Sequence, residues 1–175
     1  MPGDRLRLAV VSDTHSQPHP RIAEHLARLR PDAILHGGDI GDLAVLDELA
    51  KLGPLYAVRG NIDTRARDVA DLQLIDIARF GAPLRILLTH IAIYGAKLRT
   101  EVVKRAHAET AHLVVCGHSH VPFIGTDRGV AMFNPGSIGP RRFGLPISFG
   151  TIDITATKVS FAHWNCETGE PWSPP

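Results

Sequence analysis

The stretch Leu113-Val114-Val115-Cys116-Gly117-His118-Ser119-His120 sets two imidazoles one residue apart, just after a short apolar run and a glycine. The run reads as a buried strand and the glycine as its exit. Histidine is the commonest side-chain metal ligand. Four further apolar runs end in the same kind of chemistry: Asp13-Thr14-His15, Gly38-Asp39, Gly60-Asn61 and His90. Taken singly, Asp or Asn after a strand is explained by turns and helix caps. His90, His118 and His120 in equivalent places are not. The set offers carboxylate, amide and imidazole donors and no thiolate. Its seven side chains, Asp13, His15, Asp39, Asn61, His90, His118 and His120, exceed the needs of one tetrahedral ion. They suit two five- or six-coordinate ions sharing a bridging carboxylate.

Such ligands need strands that end on one edge. Leu6–Val11 is the first strand. Apolar residues at helical spacing follow from Arg21 to Arg30, stopped by Pro31-Asp32. Ala33–His36 is the second strand, Asp42–Lys51 the second helix with Gly53-Pro54 as its stop, and Leu55–Val58 the third strand. This β-α-β-α-β order predicts parallel strands with right-handed crossovers. The rhythm then changes. Leu72–Ala78 and Leu84–Leu88 flank a hairpin-like connection through Phe80-Gly81-Ala82-Pro83, and Ala96–Ala108 reads as a third helix before the strand at Leu113. Two further hairpins are expected, Phe123–Thr126 with Val130–Phe133 and Ile147–Thr155 with Lys158–Trp164, and Pro171–Pro175 reads as a tail. A β-α half followed by a β-rich half predicts two sheets packed face to face with helices outside, in one domain spanning residues 1–175.

The bulk numbers narrow the classes. The chain has 175 residues, 44% of them hydrophobic and 21% charged, enough for a folded domain with one substantial core. A formal net charge of +1 without a Lys/Arg run gives no nucleic-acid footprint. No apolar stretch approaches the roughly 20 residues of a membrane span. The start, Met1-Pro2-Gly3-Asp4-Arg5, runs into a strand and lacks the apolar segment of a signal peptide. Cys116 and Cys166 form no Cys-x-x-Cys pair, so free thiols and a cytoplasmic setting are expected. No Gly-x-Gly-x-x-Gly or Walker-type loop follows a strand, which removes a nucleotide-binding fold.

As a set, Asp13/His15, Gly38-Asp39, Gly60-Asn61, His90 and Gly117-His118-Ser119-His120 resemble the motifs of the calcineurin-like metallophosphoesterases, most of all their short bacterial and archaeal members of the phosphodiesterase and retromer-subunit type. Asn134-Pro135-Gly136-Ser137 with Pro140-Arg141 matches a further stretch of these short members. The resemblance implies a four-layer α/β/β/α sandwich of two mixed sheets with flanking helices. It implies one metal on Asp13, His15 and His120, a second on Asn61, His90 and His118, and Asp39 as the bridge. Two divalent ions against two aspartates leave a surplus of positive charge, which attracts phosphate and favours a metal-bridging hydroxide as nucleophile. Manganese is the expected metal, and Fe, Zn, Ni and Mg also accept such donors.

The pattern departs from larger members in two places. They follow Gly-Asn with His-Glu, the His assisting the leaving group, whereas Ile62-Asp63 stands here. Ile91 replaces the usual glycine after the lone histidine. Asp39, Asn61 and His90 are therefore the candidate catalytic residues, with Asp63 beside them as the one position left for a proton donor. An unperturbed carboxylate, with a pKa of roughly 3.9, is ionised at neutrality and donates poorly. Among the other histidines, His19 lies in a Pro-rich loop near the site, and His36 is open to a supporting or a core role. His25, His107, His112 and His163 read as surface or sheet residues. Arg141 and Arg142 are candidates to steer phosphate. The expected function is hydrolysis of a small phosphate ester, a diester favoured over a monoester, with a homo-oligomer left open. The rival is a non-catalytic metal-binding scaffold of the retromer-subunit type.

Overall fold

A computed structural model of the chain describes residues 4–81 and 83–174. Met1–Gly3 of the expected leaderless start, Ala82 of the expected hairpin connection and Pro175 of the expected tail lie outside the described residues.

Strand β1 (Leu6–Val11) is central. Its alternation decides the layering, because successive strand side chains point to opposite faces. Leu8 and Val10 enter a core shared with Ile86, Leu88, Leu113, Val115 and Phe133 of a second sheet. Ala9 and Val11 face the other way, against Ile22 and Leu26 of α1 (Ile22–Leu29) and Val45 and Leu49 of α2 (Ala44–Ala50). On the far side, Leu87 and Val114 pack against Val102, Val103 and Ala106 of α3 (Thr100–Ala108). Three apolar seams thus separate four layers, helix, sheet, sheet and helix, as the resemblance implied.

The first sheet runs, in order, β13 (Pro171–Trp172), β12 (Val159–Asn165), β11 (Ser148–Ile154), β1, β2 (Ala33–His36) and β3 (Leu55–Ala57). Strands β2 and β3 lie parallel to β1 and to each other, as the β-α-β-α-β pattern requires. The second sheet runs, in order, β4 (Leu72–Ile77), β5 (Leu84–Thr89), β8 (Leu113–Val115), β10 (Val130–Asn134) and β9 (Phe123–Asp127), and β4 and β5 form the expected antiparallel pair. Within it β5, β8 and β10 are parallel. Strand β9 closes this sheet against β10. The parallel subsets matter most for function. They bring the exits of β1, β2, β3, β5 and β8 to the carboxyl edges where ligands gather in α/β sheets.

The late hairpin of β11 (Ser148–Ile154) and β12 (Val159–Asn165) adds to the first sheet beside β1, so the chain's end closes the sheet its beginning opened. Two expectations need correction. The helix expected from Ala96 begins only at Thr100, because Lys97–Leu98 (β7) pairs with Ile93–Tyr94 (β6) about Gly95, at φ 60°. The expected tail contains a short strand, β13 (Pro171–Trp172), paired with β12. Cys116 and Cys166 are both free and buried. Among the described residues no helix is long and apolar enough to cross a membrane.

Candidate metal centre

Asp13 leaves β1 with φ 55°, Asp39 leaves β2 with φ 53°, and His15, His118 and His120 have φ of 45°, 71° and 60°. Left-handed backbone at non-glycine residues costs of order 1–3 kcal/mol each and concentrates at functional sites. Here it turns five polar side chains out of the strand direction into one pocket. The loops interlock so tightly that glycine is required between them. A Cβ at Gly117 would lie 2.6 Å from Oδ2 of Asp13, and one at Gly60 would overlap the Asp39 carboxylate.

The side chains converge in two groups. Asp13, His15 and His120 bring ligand atoms within 4.8 Å of one another, and so do Asp13, Asp39 and His90. In the first group Nε2 of His15 and Nε2 of His120 are 3.3 Å apart, and His120 Nε2 is 3.4 Å from Oδ1 of Asp13. Asp39 divides its oxygens, with Oδ2 3.6 Å from His15 and Oδ1 3.2 Å from His90. Asn61 and His118 complete the open side: Oδ1 of Asn61 is 3.1 Å from His90 Nε2 and 3.1 Å from His118 Nδ1. Asp13, Asp39, His90 and His120 are buried, whereas Asn61 and His118 are exposed.

The tautomer of His90 shows what the pocket is built to receive. Its Nδ1 lies 2.7 Å from the Gly37 carbonyl, which can only accept, so Nδ1 carries the proton. In the neutral ring Nε2 is then a bare lone pair facing Oδ1 of Asp39 and Oδ1 of Asn61. Lone pairs converging without a donor call for a cation, and a carbonyl-anchored imidazole is the usual metal-ligand arrangement. The donor set fits divalent ions of the O/N-preferring kind.

Without metal, the charges compete. Burial pushes Asp13 up to about 7, with Asp39 adding to it and Ser12, His90 and the His118 N–H opposing. Burial also works against ionised Asp39, but the hydrogen bond and charge of His90, the Ile62 N–H and the charge of His15 hold it at about 2. Burial lowers His15 and His118, and with Arg142 and His15 it takes His120 down to about 4. His90 is raised, because Asp39, Asp13 and the Gly37 carbonyl outweigh its burial. Three of the four imidazoles are thus kept in the neutral form that binds metal.

Asp63 stands apart from the cluster. One oxygen accepts the N–H of Ile40 at 3.0 Å and of Gly60 at 2.7 Å, and the other accepts Gly41 N–H at 2.9 Å. It pins the loop after β2 to the loop after β3, which fixes Asp39 against Asn61. His36 is wholly buried and braces the loop after β1. It accepts the Gly38 N–H, so its Nε2 carries the proton and meets Oγ1 of Thr14 at 3.2 Å. His19 lies by Arg21 and Ile138, outside both groups. His25 is buried rather than superficial, because Nε2 reaches the Cys166 carbonyl at 2.7 Å and the ring stacks on Phe149. His163 is a buried sheet residue on the Asn134 carbonyl.

Supporting residues that no ligand pattern singles out come from the Asn134–Ser137 stretch. Asn134 Nδ2 donates to the Gly117 carbonyl at 2.8 Å and to Ser119 Oγ at 3.1 Å, holding the His118–His120 turn. Ser137 Oγ donates to the Asp13 carbonyl at 3.0 Å. The stretch is legible as a motif, but its task is visible only when the two sheets face each other.

Comparison with known proteins agrees with this geometry. Residues 6–157 match the Calcineurin-like phosphoesterase superfamily domain. A probable metallophosphoesterase of Bacillus subtilis, YsnB, is 31% identical over 162 residues, covering 89% of this chain and 90% of that protein. A probable metallophosphoesterase of Methanothermobacter thermautotrophicus is 31% identical over 138 residues, covering 74% and 76%. Among solved structures, wild-type Vps29 of Entamoeba histolytica complexed with zinc superposes with a TM-score of 0.75 at 20% identity over 95% of this chain and 96% of that one. The E. coli phosphoesterase Yfce does so at 0.66 and 19%, covering 96% and 97%. The match across most of the chain, with the carboxylates and histidines gathered at the sheet edge, makes this protein a member of the calcineurin-like phosphoesterase superfamily.

Proposed function

We propose that the chain is a dinuclear metal-dependent phosphodiesterase acting on a small phosphate ester, and that residues 1–175 work as one catalytic domain. The observation that carries this reading is the divided Asp39 carboxylate, with one oxygen towards His15 and the other towards His90. Asp13, His15 and His120 would hold one ion, Asn61, His90 and His118 the other, and Asp39 both. When bound, the ions supply charge stabilisation for the phosphoryl group and activate water as the nucleophile. The protein's own part is to keep His15, His118 and His120 neutral, to anchor His90 through Gly37, and to leave the Asn61/His118 side open to substrate. With Asp63 fully engaged by backbone N–H groups, leaving-group protonation has no assigned side chain, which favours activated diesters. Manganese is the proposed metal and the cytoplasm the proposed setting, the latter resting on two free thiols.

A second reading is a metal-binding scaffold, and the fold likeness to Vps29 is the observation in its favour. A complete set of seven ligand positions speaks for the enzyme. The test is hydrolysis of bis(p-nitrophenyl) phosphate and p-nitrophenyl phosphate by manganese-loaded protein and by Asp39→Asn. Faster diester turnover that vanishes in the variant is expected. A metal-loaded protein that hydrolyses neither ester would leave the scaffold.

A further inference from the structure

Arg141 and Arg142 are adjacent in sequence and opposite in situation. The Arg141 guanidinium donates to the Leu145 carbonyl at 3.0 Å through Nη1 and pairs with Glu167 through Nη2. The Arg142 guanidinium makes no hydrogen bond or ion pair among the described residues. An arginine paired twice shapes its loop; an exposed one with five free donors beside a ligand pocket is available to an anion.

The segment leading to Arg142 is laid directly on the metal-ligand loop. Ile138 N–H donates to the Ser12 carbonyl at 3.2 Å, and Ser137 Oγ to the Asp13 carbonyl at 3.0 Å. Gly139 packs so closely that a Cβ there would overlap the Asp13 carbonyl and lie 2.9 Å from that of Thr14. From Pro140 the chain turns back, with Leu145 N–H on the Arg142 carbonyl at 3.1 Å and left-handed backbone at Phe143 and Gly144. Arg141 locks this turn, and Arg142 is left exposed three residues beyond Gly139, the residue that abuts the Asp13 and Thr14 carbonyls next to His15.

We propose that Arg142 is a substrate-binding residue that contacts non-bridging oxygens of the phosphate group on the His15/His120 side of the site. The inference rests on the phosphoesterase reading and extends it to the recognition of substrate charge. A cation left unpaired next to a cation-binding pocket is repelled once the pocket fills. Arrival of an anion reverses that repulsion. The guanidinium fork matches two phosphate oxygens at once, which a lysine ammonium cannot do. Groups with three or more terminal oxygens, monoesters and inorganic phosphate, should depend on it more than diesters with two.

The test is calorimetric titration of inorganic phosphate into the manganese-loaded full chain, with metal content measured on each sample. Arg142→Gln should bind phosphate roughly 10- to 100-fold more weakly, the range of a lost charge-assisted hydrogen bond, and Arg142→Lys should fall between. Lys158→Gln is the control for net charge. It lies next to the end of β11, where Ile154 pairs with Leu6 at the start of β1, the edge opposite Asp13. It should bind as wild type, and metal content should be equal in all four proteins. Equal phosphate affinity in wild type and Arg142→Gln would overturn the proposal, as would no phosphate binding by wild type, or weaker binding matched by metal loss. Arg142-dependent phosphate binding by a protein that hydrolyses no ester would uphold this inference and defeat the hydrolase reading.

Discussion

Nε2 of His90 stands 3.2 Å from Oδ1 of Asp39, while the other nitrogen of the same ring is committed to the Gly37 carbonyl at 2.7 Å. One side chain therefore ties the backbone of the second strand's exit to the carboxylate that exit presents. Asp39→Asn keeps the shape and removes the charge that the proposed function has both ions share. It is expected to lower metal content and to cut kcat/KM by more than the roughly 10- to 100-fold typical of changes behind the ligands. Metal analysis beside diester kinetics checks this; near-normal metal content with full activity would remove Asp39 from the bridge.

Asp63 gives a contrasting expectation. Its carboxylate accepts three backbone N–H groups, so Asp63→Ala strands one buried donor, that of Ile40, and two half-buried ones. Each stranded donor costs on the order of 1–3 kcal/mol before relaxation, and a total loss of roughly 2–4 kcal/mol is expected. In the milder Asp63→Asn, the ratio of alkyl- to nitrophenyl-ester rates should stay as in wild type. A selective fall in alkyl-ester turnover, with stability unchanged, would make Asp63 the missing proton donor.

Asp13 predicts an inversion of stability with metal. Its carboxyl is raised by burial to about 7 in the metal-free fold, above its unfolded value of 3.8. A raised folded pKa means that the proton is held more tightly when folded. The corresponding stability is complete below the unfolded value and is lost as pH rises through about 7, a penalty of roughly 4 kcal/mol. Asp13→Asn escapes it. In the presence of a chelator at pH 8 the variant should melt at a higher temperature than wild type. With divalent metal added, wild type should gain and the order reverse. A wild-type protein that is the more stable of the two in chelator would show that Asp13 is not strained by its burial.

Features with a short period or a fixed place are legible in the sequence. The strands β1, β2, β5 and β8 and the ligand after each follow from apolar runs ending in turn residues, and the parallel order follows from the helices between them. Features that are long-range or brief are not legible. Strands β6, β7 and β13 have two residues each, too few to show alternation, and so Lys97–Leu98 passes for the start of a helix. The pairing of β11 with β1 joins segments more than 130 residues apart. The role of Asp63 is set by backbone N–H groups of the loop after β2 and that of His36 by Thr14 in the loop after β1, contacts that no side-chain pattern records. The difference between Arg141 and Arg142 depends on Glu167, a residue distant in sequence.

The central claim is that this pocket works with two ions. The most direct measurement is titration of metal-free protein with manganese, following bound metal and bis(p-nitrophenyl) phosphate hydrolysis in the same samples. The account predicts that binding saturates at two ions per chain and that activity is low at the first equivalent and rises with the second, since the Asn61/His118 side completes the site. Activity that reaches its plateau at one bound ion, or two bound ions with no hydrolysis, would contradict it.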